Sequence, residues 1–145
     1  QLTRMYCSRK CGCDDPLSPL VLSLPGSGCP PTCQRTGVFF DRRGSMPCED
    51  VPRDDPALVA FLNSWDTIQR DWPSNQAGGA QFLIAALRAH GCAFLSSAQA
   101  VQQVQATIAP WGVPYLQGGN LCVEEGMNGV LIKPLSYFCP ASCGW

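Results

Sequence analysis

The residues of this chain that can do chemistry in number are its ten cysteines, and they are spaced in a repeat. Cys13 to Cys33 reads CDDPLSPLVLSLPGSGCPPTC, and Cys122 to Cys143 reads CVEEGMNGVLIKPLSYFCPASC. In each copy a cysteine precedes an acidic pair, an aliphatic run with Pro and Ser, and a closing Cys-Pro-x-Ser/Thr-Cys; 15 residues separate the first two cysteines in one copy and 16 in the other. Kept spacing with drifting filler is what cross-linking leaves behind, because a disulfide fixes geometry whatever lies between its ends. All ten residues, Cys7, Cys11, Cys13, Cys29, Cys33, Cys48, Cys92, Cys122, Cys139 and Cys143, are therefore read as disulfide partners, up to five bridges in all. A zinc site is the rival use of the Cys-x3-Cys pairs 7/11, 29/33 and 139/143, but His90 is the single histidine and two of the pairs hold a Pro inside the loop. No metal or cofactor is expected.

Other catalytic constellations are missing from the sequence. A thioredoxin-like site needs Cys-x2-Cys at a helix start, where the thiol pKa is lowered, and the nearest approach is Cys11-Gly12-Cys13. Hydrolysis needs a base beside a nucleophile or two facing carboxylates. His90 falls in the last turn of a predicted helix, where the helix dipole favours an imidazolium. The pairs Asp14-Asp15, Asp54-Asp55 and Glu124-Glu125 fall where helices begin, so capping accounts for them. No phosphate loop, dinucleotide fingerprint or Gly-x-Ser-x-Gly occurs. The expectation is a protein without catalytic residues.

The elements that must carry the cysteines are mostly helical. Asp54 or Asp55 caps and Pro56 opens a helix in which Leu58, Phe61, Leu62, Trp65, Ile68 and Trp72 recur at three- and four-residue steps until Pro73. A second helix is predicted from Gly79 to His90, closing at Gly91, with Phe82, Leu83, Ala86 and Leu87 inward. A third starts at Ser96 or Ser97, shows Val101, Val104 and Ile108, and ends before Pro110. Ser18-Pro19 reads as the start of a short helix over Leu20 to Leu24. Residues 34–52 read as a loop, anchored by Val38-Phe39-Phe40 and turning at Arg42, Arg43 and Gly44. The fold expected is a small, mostly α, disulfide-rich domain over 1–145, with a helical block at 54–110 and the cysteine frame repeated at 7–33 and 92–143.

The closing run Phe138-Cys139-Pro140-Ala141-Ser142-Cys143-Gly144 resembles the Cys-Pro-x-Thr/Ser-Cys-Gly ending of ShK-toxin-like cysteine modules. The wider frame of Cys48-Glu49-Asp50, Gly91-Cys92, Leu121-Cys122 and Cys139 to Cys143 is similar to the extended relatives abundant in dinoflagellate proteins. The resemblance implies the pairs Cys122–Cys143 and Cys92–Cys139. Through the repeat it implies Cys13–Cys33 and Cys29 with Cys7 or Cys11, the remaining one joining Cys48. Trp145 stands where the compact module has a further cysteine, and Lys133 and Tyr137 lie four apart where channel-blocking members have an adjacent Lys-Tyr pair. Channel block is thus not implied.

Ten cysteines in 145 residues point to an oxidising compartment, extracellular or organelle-luminal. Starting at Gln1, the chain is expected to be a processed product or a fragment. A net charge of −1 argues against nucleic acid, and no apolar run reaches a membrane span. Residues 1–43 hold six basic and three acidic side chains, a balance of +3, and residues 44–145 hold four and eight, a balance of −4. Arg42, Arg43, Trp111, Tyr115 and Trp145, in predicted turn, loop and terminal positions, are the candidate partner contacts. Two readings follow. One is a non-enzymatic module docked on a protein assembly, which the resemblance extends to a luminal accessory subunit peripheral to an algal photosynthetic membrane complex. The alternative is a secreted toxin- or effector-like ligand of a receptor or channel, acting through its basic end.

Overall fold

A computed structural model of the chain describes residues 10, 12–21, 29–71, 77–98, 102, 122 and 133–144. Three α-helices organise them: α1 (Gly37–Gly44), α2 (Pro56–Asp71) and α3 (Ala77–His90). Short 3-10 turns lie at Pro31–Arg35, Gly91–Ser96 and Leu135–Tyr137, and no strand occurs among the described residues. The mostly helical class read from the sequence is the one observed.

α2 begins where the Asp55 carboxylate accepts hydrogen bonds from the backbone N–H of Ala57 (2.8 Å) and Leu58 (3.3 Å), groups that have no partner within the helix. Its apolar stripe of Leu58, Phe61, Leu62 and Trp65 is fully buried. α3 packs against it through Leu83, Ile84, Ala86 and Leu87. It ends at Gly91, whose φ of +62° favours glycine and where a Cβ would stand 3.0 Å from that of Arg53, a tight contact. Arg53 Nη1 donates to the Ala89 carbonyl at that end (3.3 Å). On the outer side, Asp66 on α2 accepts from Arg70 and from Arg88 on α3 (3.4 Å), and these two guanidinium groups hold its carboxyl below the usual range.

The C-terminal segment 133–144 runs through the middle of the core. Phe138 is fully buried with its ring 5.0 Å from that of Phe61, and its carbonyl accepts from Val51 N–H (2.9 Å). Asp50 accepts from the backbone N–H and the hydroxyl of Ser142 (2.9 and 2.6 Å). At its other end Lys133 N–H donates to the Val21 carbonyl (2.6 Å), drawing in the N-terminal segment.

Two local expectations need correction. Residues 37–44, read as part of a loop, form α1: Thr36 Oγ1 accepts from Phe39 N–H (3.2 Å), and the buried Phe39 ring meets Tyr137 edge-on at 6.4 Å. A two-turn helix with one buried side chain shows no periodicity to read, so the tertiary contact forms it. Ser18-Pro19 opens no helix over the described residues 18–21, because Ser18 is held by Lys133 instead. The helix expected after Ser97 lies mostly outside the described residues, as does the rest of the one expected over 20–24.

Three bridges occur among the described cysteines. Cys92–Cys139 and Cys122–Cys143 join the pairs implied by the resemblance. The third, Cys13–Cys29, replaces the expected Cys13–Cys33. Cys139 finds its partner on the 3-10 turn that follows α3, whereas Cys29 meets Cys13 of its own frame and leaves Cys33 beside that bridge. Cys33 is a buried free thiol packed with that bridge, and Cys48 is an exposed free thiol; both were expected to be paired. Cys7 and Cys11 lie outside the described residues.

Candidate interaction site

The N-terminal segment 12–21, α1 and the start of α2 enclose an open groove of about 760 Å³. Leu17 and Pro19 line it from the segment, Val38 from α1, and Pro56 and Ala57 from the first turn of α2. Local sequence explains the placement. The Asp15 carboxylate accepts from Leu17 N–H (3.0 Å), folding the segment into a tight turn, and Gly12 takes φ +75° where a Cβ would stand 2.7 Å from that of Ser18. The Thr36 cap sets α1 so that Phe39 points to the core and Val38 and Phe40 stand outside, Phe40 being 55 % exposed.

An ion pair sits at the groove. Arg42 Nη1 lies 3.2 Å from Asp15 Oδ2 with both side chains partly exposed, a geometry that leaves further guanidinium N–H groups for another acceptor. Lys10 stands exposed on the same rim.

Behind the groove wall lies Lys133, only 3 % exposed. Its Nζ donates to the Ser18 carbonyl (2.5 Å), contacts the Ser18 hydroxyl (3.1 Å) and reaches the Asp15 carbonyl (3.5 Å), and it lies 5.6 Å from the centre of the Phe138 ring. Burial pushes the Lys133 pKa down to about 7, and the nearby Asp15 carboxylate opposes that fall. A lysine of this kind next to a serine is the pairing that a serine nucleophile with an amine base would use. Here Ser18 is itself buried, and the amine is tied to that residue's own carbonyl. The pair fits a structural tie.

Of the residues singled out from the sequence, Arg42 lines the groove. Arg43 does not line it; its guanidinium sits 6.0 Å above the Tyr137 ring. Trp111, Tyr115 and Trp145 lie outside the described residues. Trp65 is in the core as its helical spacing predicted, and His90 is exposed at the end of α3. Sequence reasoning missed Lys133, Ser18 and Val38 as parts of one site. A signal existed for the first, since Lys133 interrupts the apolar run Val130 to Leu135. Among the described residues no three metal-ligating side chains come together, and no helix is long and apolar enough to cross a membrane. Comparison with known proteins finds no matching family model, no matching curated protein and no matching solved structure.

Proposed function

We propose that this chain is a non-enzymatic, disulfide-stapled docking module that works in an oxidising compartment as part of a larger protein assembly. The observation that carries the reading is the open groove with exposed Val38 on its wall and an ion pair already formed at its rim. A groove with apolar sides and a charged rim is suited to binding. The occupant that fits is a segment of a partner protein carrying apolar side chains flanked by carboxylates, which would meet Lys10 and the spare N–H groups of Arg42. The effector-like alternative acts through the basic end of the chain, and charge reversal at Arg42 and Arg43 would abolish receptor binding under it while weakening docking on an assembly less. A position on the luminal side of an algal photosynthetic complex rests on the resemblance of the cysteine frame alone.

The test is extraction in mild detergent from native material, with Val38→Lys as the variant. The native chain is expected to migrate with a large assembly. Val38→Lys, an exchange at an exposed helical site, is expected to keep the circular dichroism and melting temperature and to weaken the association about tenfold or more. A native chain that migrates as a monomer, or a variant that associates unchanged, would sink the reading.

A further inference from the structure

Lys133 joins the groove wall to the C-terminal segment through a buried ionisable side chain. Segment 12–21 has no regular helix; Cys13, Asp14, Pro16, Ser18 and Val21 are buried in it, and its polar ties to the rest of the molecule include the Lys133 N–H to the Val21 carbonyl, the Lys133 amine to Ser18 and Asp15, and the Asp15–Arg42 pair. The Cys13–Cys29 bridge keeps it tethered when those contacts open. A segment held this way opens locally at much less cost than the whole fold.

The amine's three partners are unequal. Two are carbonyls, which only accept, while the third is a hydroxyl, which accepts or donates. An ammonium gives its three N–H groups to all three; a neutral amine gives two N–H groups to the carbonyls and receives the Ser18 O–H on its lone pair. Hydrogen bonding is thus satisfied in both protonation states, and the balance is left to desolvation against the surrounding charges. The charge that acts on the amine is the Asp15 carboxylate, itself paired with Arg42 on α1; Asp14 lines the groove from the same segment. From its own segment come the Phe138 ring and Tyr137, whose ring faces Phe39 and Arg43.

We propose that Lys133 is a proton-operated latch on the groove: uptake of a proton at its amine favours release of segment 12–21 from the C-terminal segment, which dismantles one wall of the docking site. The release stands on the geometry of Lys133; its effect on docking rests on the reading of the groove given above. The direction follows from the two states of the side chain. Closed, burial holds the group near 7; released into water it returns to the ordinary lysine value of 10.5. Between these limits the released state binds the extra proton, so each unit of falling pH favours release about tenfold, and below about 7 the dependence flattens because both states are protonated.

Amide hydrogen exchange read at the Lys133 and Ser18 N–H groups, corrected for intrinsic exchange, tests this without any partner. From about pH 9 to about pH 7, protection at Lys133 is expected to fall about tenfold per unit and then level. Lys133→Met is expected to lose the slope. Asp15→Asn keeps the acceptor for Leu17 but removes the favourable charge, so the levelling point moves to lower pH; this variant decides the matter if Lys133→Met does not fold. Protection independent of pH, a slope that survives Lys133→Met, or an unmoved levelling point in Asp15→Asn would overturn the latch. pH-dependent release in a chain that binds no partner would overturn the docking reading and leave the latch intact.

Discussion

Ser136 carries a buried hydroxyl with no hydrogen-bond partner among the described residues, between the buried side chains of Leu135 and Tyr137. Leaving such a group unpaired costs about 1–3 kcal/mol of desolvation, and replacing the hydroxyl by hydrogen removes that cost against the small void it leaves. Ser136→Ala is therefore expected to raise stability by about 1 kcal/mol, read as a higher urea midpoint with an unchanged slope; a lower midpoint would mean that the hydroxyl has a partner in solution. Residue-scale features of this kind were partly legible. The recurrence of Leu58, Phe61, Leu62 and Trp65 marked each as buried, and each is. A lysine inside an apolar run was visible too, but its meaning was not, because Ser18 lies 115 residues away and nothing in the local pattern pairs them.

At the scale of elements, α2 was readable because its start is chemical and its face is long. Two aspartates compete for the cap in sequence, and the structure assigns the role to Asp55, with Asp54 exposed. Asp55→Ala is expected to cost about 1 kcal/mol in chemical denaturation, against less than about 0.5 kcal/mol for Asp54→Ala; equal losses would show that the first turn shares its cap between them. α3 was legible for the same reason, through its glycine stop and inward leucines. α1 was not. It has a cap in Thr36, but Gly37 and Gly44 bound it and its one buried side chain is Phe39, so its helical state depends on Tyr137, a residue far along the chain. The groove inherits that limit, since one of its walls is an element that exists by tertiary contact.

On the scale of the molecule, covalent ties and the C-terminal segment act together. The bridges span 16, 47 and 21 residues, each worth roughly 3–4 kcal/mol in the chain-entropy picture. Two of them end in the segment that also receives Val51, Asp50 and Val21, so a reduced chain loses the anchor of its core as well as its cross-links. The repeat of the cysteine frame was legible, but its pairing was only partly so. Spacing alone treats Cys29 and Cys33 as equivalent partners for Cys13, and the 3-10 turn at Pro31–Arg35 separates their roles. The remaining thiols then differ by burial. In native protein without reductant, a maleimide is expected to modify exposed Cys48 rapidly and to leave Cys33, 6 % exposed against the Cys13–Cys29 bridge, unmodified. Denaturation without reductant should then expose Cys33 to the reagent while the six bridged cysteines stay silent, which peptide mass mapping reads directly. If Cys48 fails to react in the native protein, it is joined to another cysteine, as the resemblance carried through the repeat implied for Cys48 with Cys7 or Cys11, and the network of bridges extends beyond these three.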